Sequence, residues 1–123
     1  MTSVRRIARP FASTAINRFE LTARLIERDV LRYTPSGIPL IDCVLNHRSE
    51  LIEAGQLRQV EVEAPAMAFE SVAHRLVACR LDETYRFTGF LANRSRKSKR
   101  TVFHIVDFDA HTSANIDANI DSD

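Results

Sequence analysis

In the stretch NRSRKSKRT, five of the seven residues from Arg94 to Arg100 are Arg or Lys. Like charges repel, so crowding them into one short segment is favourable only where something negative comes to meet them. The chemistry this suits is the binding of a polyanion. Neutralising about five phosphates of a single strand would make log K fall with log salt at a slope near −3.5, roughly a hundredfold between about 50 and 200 mM. Catalysis has weaker support. Glu61 and Glu63 alternate in LRQVEVEA, which puts both carboxylates on one strand face roughly 7 Å apart. No nucleophile, paired His or phosphate-cradling Gly loop accompanies them, and a solvated polar face is the better reading. His47, His74, His104 and His111 have no metal-ligand spacing, so no metal and no cofactor is expected. Cys43 and Cys79 lie outside any CxxC, each among apolar neighbours. They read as buried free thiols of a protein in a reducing cytoplasm.

The loop is conspicuous because the chain as a whole is nearly neutral, with a formal net charge of +1. Residues 1–37 sum to +4, residues 38–93 to −3, residues 94–100 to +5 and residues 101–123 to −5. Fields in salt act over roughly 8 to 10 Å, so this segregation leaves a strongly positive patch on an apparently neutral protein. With 123 residues, 45% of them apolar, the chain suits one domain with a real core. It has no apolar run near the roughly 18 residues that span a bilayer.

The elements that must position the loop read mostly with a period of two. In FELTARLI, Phe19, Leu21, Ala23 and Leu25 share a face, which predicts a half-buried strand. The cluster TPSGIP follows, with Gly37 able to supply a positive φ. LIDCVLNH, with Ile41, Cys43 and Leu45 on one side, predicts a second strand, and a polar loop ending in Glu53-Ala54-Gly55 leads to a third strand, LRQVEVEA. After Pro65, the spacing of Phe69, Val72, Ala73, Leu76 and Val77 predicts one helix of about thirteen residues. ETYRFTGFL predicts the fourth strand, where Gly89 marks a bulge or tight bend, and TVFHIVDFD the fifth. The basic loop joins them. The expected fold is mostly β: a five-stranded OB-fold barrel with one helix between strands three and four, occupying residues 17–109. Residues 1–16 read as a disordered basic N-terminal tail and residues 110–123 as a disordered acidic C-terminal tail.

Particular residues carry a resemblance. Asn17-Arg18, Pro35-Ser36-Gly37-Ile38-Pro39, Val44-Leu45-Asn46-His47-Arg48-Ser49, Glu53-Ala54-Gly55, Arg58-Gln59 and Gly89-Phe90 before a cationic loop resemble the bacterial primosomal replication protein N family, PriB. That family is related to bacterial single-stranded DNA-binding protein. The resemblance implies a cytoplasmic bacterial OB-fold homodimer, not an enzyme, that binds single-stranded DNA during replication restart. It would join the primosomal helicase PriA and other primosome proteins. The family's DNA-contacting cations fall on Arg48 and on loop residues Arg94, Arg96, Lys97, Lys99 and Arg100, with Arg58 and Arg32 as further candidates.

The chain departs from that family where aromatic stacking is concerned. Better-known members carry a Trp in strand three and an aromatic residue just before the Arg-Gln pair; here Glu61 and Leu57 stand there, and there is no Trp. Stacking contributes about 1 to 3 kcal/mol per base, so weaker DNA binding with a larger electrostatic share is expected. Tyr33, beside Arg32, could stack on a base or pack on the barrel end. Phe90 points opposite to Phe87, so one of the two faces the core and the other a binding face or a dimer contact. Phe19, Phe69, Phe87, Phe103 and Phe108 are assigned to core or interface. Two functions follow: a single-stranded DNA-binding accessory protein, or a protein-interaction OB module that docks a helicase with only residual DNA binding.

Overall fold

The computed structural model describes residues 15–110. The expectations for the two tails fall almost wholly outside them. The described chain runs β1 (Phe19–Arg28), β2 (Arg32–Tyr33), β3 (Pro39–Glu53), β4 (Gln56–Phe69), α1 (Glu70–Val77), β5 (Thr84–Asn93) and β6 (Thr101–Ala110). β1 pairs antiparallel with both β5 and β3, β3 with β4, and β5 with β6. A parallel pairing of β4 with β6, Ala66 opposite Phe103 and Met67 opposite His104, closes the ring. The result is the expected five-stranded OB barrel with its helix between the third and fourth barrel strands; β2 is a short extra strand on the rim of β3.

Inward-pointing residues make the core: Leu25, Ile41, Leu45, Phe87, Phe103, Ile105 and Phe108 are buried, with Ala73 and Leu76 of α1 packed among them. Phe19 and Phe69 are exposed, so of their core-or-interface assignment the core half is excluded. Cys43 is buried, and burial pushes its thiol up to about 12. Cys79 is free but only half-buried, packed against the edge of the core.

Three elements differ from the sequence reading, each for a physical reason. The segment read as a polar loop before Glu53-Ala54-Gly55 is strand: β3 and β4 pair continuously from Leu40–Phe69 to Glu53–Gln56. They turn through Ala54 and Gly55, with φ of 53° and 77°, the left-handed pair that a two-residue hairpin turn needs. The helix has eight residues rather than about thirteen, because Ala66, Met67 and Ala68 lie in β4, held between β3 and β6. Pro65 is tolerated in the strand because the β6 pairing begins only at Ala66, so its missing N–H leaves no ladder bond unmade. A helix this short is marginal alone. Arg28 caps it, donating to the carbonyls of Leu76 (3.0 Å) and Cys79 (2.6 Å). Arg75 fastens it to β6 through Asp107 and the Phe108 ring, 4.4 Å from guanidinium carbon to centroid.

Gly89 meets the expectation of a bulge, since the β5–β6 register slips between Thr88 and Gly89. The extra residue is on β6, which lets Phe108 return to the core after Phe103 and Ile105. A Cβ at Gly89 would come to 1.8 Å from the Ile105-preceding carbonyl oxygen, that of His104. Gly89→Ala should therefore force the two strands apart and cost about 1 to 3 kcal/mol or more, read as a lower urea midpoint with an unchanged m-value.

Candidate nucleic-acid interface

The basic loop is a compact tip rather than a floppy one. The Arg94 N–H donates to the Arg100 carbonyl at 2.9 Å, Ser98 N–H to the Ser95 carbonyl at 3.2 Å, and Arg100 N–H to Ser98 Oγ at 3.1 Å. Arg96, Lys97, Lys99 and Arg100 are exposed, and among the described residues none of the four makes an ion pair, whereas Arg94 does. Arg94 grips Asp42 of β3 with two N–H groups, at 2.9 and 3.1 Å. Arg32 of β2 donates to the same carboxylate at 2.8 Å. Burial is the largest influence on Asp42 and would raise its pKa, but the hydrogen bond and charge of Arg94, with the charge of Arg32, together hold the carboxyl below its ordinary 3.8.

This three-residue clamp ties the first loop to the basic loop, so two candidates, Arg32 and Arg94, are brought together by a residue the sequence reading passed over. The signal available was an acid in the outward slot of an otherwise apolar strand. Residues opposite one another across strands share a face. With Ile41, Cys43 and Leu45 inward, Asp42 faces outward in a row with Met67, His104 and Phe90. Arg94 reaches Asp42 over β6 and β4, where Leu40, Met67 and Val102 form a second buried cluster.

The other candidates lie elsewhere. Along the same outward face, Arg48 stands opposite Glu61 and is paired to it at 3.2 Å. Hydrogen bonds from Asn46 and then Arg48 hold the Glu61 carboxyl below its ordinary value, so it stays charged on this face. Arg58 is near the hairpin tip, bonded to Glu53. Tyr33 is exposed beside the clamp. Phe90 is half-buried, with its ring against that of His104, 5.0 Å between centroids and 13° from parallel. No group of three His, Cys, Asp or Glu among the described residues could hold a metal.

A family model described as "another single-strand binding protein family" matches residues 17–107. Replication restart protein PriB of Bordetella pertussis is 36% identical over 90 residues, 73% of this chain and 84% of that relative. The chain belongs to the PriB family. PriB of Nitrosomonas europaea is 30% identical over 103 residues, 82% of this chain and 95% of that protein. The solved structure of PriB from Ralstonia solanacearum superposes with a TM-score of 0.72 at 40% identity, covering 79% of this chain and 99% of its own. A single-stranded DNA-binding protein of Thermus aquaticus, 20% identical with a TM-score of 0.61, shares the fold.

Within this PriB-family chain the clamp has a pH signature. Because the folded Asp42 pKa is depressed, its contribution is complete above the unfolded value and is lost as pH falls through the folded one. Asp42→Asn should lower the urea midpoint at pH 7, and the gap to the wild type should narrow as pH falls below the ordinary carboxyl value of 3.8. A gap independent of pH would mean that Asp42 acts by packing alone.

Proposed function

We propose that the chain binds single-stranded DNA and works as an accessory protein of bacterial replication restart, bridging DNA to the primosomal helicase in the cytoplasm. It is a binding protein, and its site is the tip of the basic loop. One observation carries this: the cations on the barrel face are matched by carboxylates, while Arg96, Lys97, Lys99 and Arg100 face solvent without an ion pair among the described residues. Charges without an ion pair among the described residues are available to phosphate with no such bridge to break.

With Arg94 committed to Asp42, four cations rather than five remain. The salt slope for a single strand then falls to about −2.8, roughly fiftyfold between about 50 and 200 mM. Lys97→Glu with Lys99→Glu should abolish binding of a labelled oligonucleotide at about 50 mM salt. Anisotropy titration measures both.

The paired face favours a second reading, a module that docks the helicase with residual DNA contact. The same double variant separates the two: if it loses DNA but still stimulates helicase unwinding fully, docking is the main function.

The homodimer has support in β1. Residues Phe19–Ala23 pair with β5 alone, leaving an open strand edge among the described residues, and an open edge invites another strand. Sedimentation equilibrium should give twice the 14.0 kDa chain mass; a monomer at micromolar concentration would remove the dimer from the proposal.

A further inference from the structure

The chain has no Trp, yet it carries three rings in a column on the outward face. Phe90 lies on His104, and His104 lies beside Phe69 with centroids 6.2 Å apart and planes 16° from parallel. The inner members are partly buried. Phe69, at the end of the column, is 37% exposed. It was expected in the helix, facing core or interface; instead it ends β4 and precedes α1 with an extended φ of −125°.

Two further observations bear on what this end is for. Glu70, next in the chain, has φ of 58°, a conformation that costs a non-glycine residue about 1 to 2 kcal/mol and persists only where the surroundings enforce it. The turn out of β4 is thus made at a cost, and it leaves the Phe69 ring on the outward face. His104 Nε2 is buried without a hydrogen-bond partner, and burial lowers the His104 pKa. The column's centre is therefore an uncharged ring at neutral pH, a suitable support for stacking.

Its place is next to the charge. Phe69 stands opposite Leu40, and Leu40 opposite Arg32; Arg32 and Arg94 meet on Asp42, one outward row away. Outward rows are separated by about 7 Å. The loop cations beyond Arg94, which make no ion pair among the described residues, would hold phosphates on this side of the barrel, and a positively charged surface beside an exposed ring is the arrangement that takes a single strand.

We propose that Phe69 is a nucleobase-stacking site, with His104 and Phe90 supporting its ring in the Phe69–His104–Phe90 column. The occupant is an unpaired base of the single strand held by the loop, so the inference rests on the proposed function.

The test uses the full chain. Phe69→Ala should weaken binding of an oligothymidine by about 5- to 150-fold, one stacked base, without changing the salt slope. An abasic oligomer of equal length should bind both proteins equally. Phe69→Leu keeps an apolar side chain and guards against a fold defect; it should show the same loss with a wild-type melting temperature. Since the sequence has no Trp, Phe69→Trp gives a unique emission that a stacked base should quench. Oligothymidine binding unchanged in Phe69→Leu, or Trp emission unmoved in the bound state, overturns the site. So does a change of oligomer mass with no change in affinity, which makes Phe69 a subunit contact. If the wild type itself fails to bind oligothymidine, the DNA-binding function falls first and the site with it.

Discussion

Two residue pairs hold the barrel shut. Ala66 with Phe103 and Met67 with His104 are the whole register of the parallel contact between β4 and β6, and without them the five strands would be an open sheet with a half-covered core. Short strands can bury a continuous interior only by closing, and closure requires backbones to come near one another. The sequence supplies small residues where they do: Ala23, Ala66, Ala68 and Ala73 are buried, and Gly89 lies where a Cβ would meet the His104 carbonyl. Closure also has a functional consequence. It sets the β5–β6 loop within reach of the start of β3, so that Arg94 can bond Asp42. The basic loop is aimed by the same pairing that completes the core.

Charge is then divided by place. On the barrel face and the β3–β4 hairpin, cations meet carboxylates: Arg32 and Arg94 on Asp42, Arg48 on Glu61, Arg58 on Glu53. The Arg48–Glu61 and Arg58–Glu53 bridges lace the part of the β3–β4 ribbon that has no third strand beside it, and an unsupported hairpin is marginal in water without such cross-strand pairs. The chain's two lysines are both in the loop, and there no carboxylate answers them among the described residues. Screening over about 8 Å keeps the two populations separate. The bridged charges serve structure, and the loop offers an open field.

How legible this was depends on whether one face of a segment is buried. FELTARLI and TVFHIVDFD could be read because a core on one side imposes a period of two, and the observed β1 and β6 match them closely. The stretch from Arg48 to Glu53 could not, because the hairpin there has no buried face and so no apolar alternation to read, even though its backbone is fully paired. Ala66-Met67-Ala68 misled in the opposite way: buried on both faces, it fits a helix or a strand, and only β6 decides between them. The loop cations were legible by charge alone. Asp42 was not, since an acid in an outward slot looks like any solvated residue until Arg32 and Arg94 are seen to converge on it.

The division of charge also bears on selectivity. Cations alone do not favour single strands: the counterion term is about 0.9 per phosphate for duplex DNA against about 0.7 for a single strand, so a loop acting only through charge would hold a duplex at least as well. A preference for the single strand must come from surfaces that take bases out of a stack. On the outward face of this barrel Glu61 is bonded to Arg48, and Phe90 is half-buried against His104. What remains exposed near the clamp is Phe69 and Tyr33. Under the proposed function the loop supplies affinity and these two rings supply discrimination.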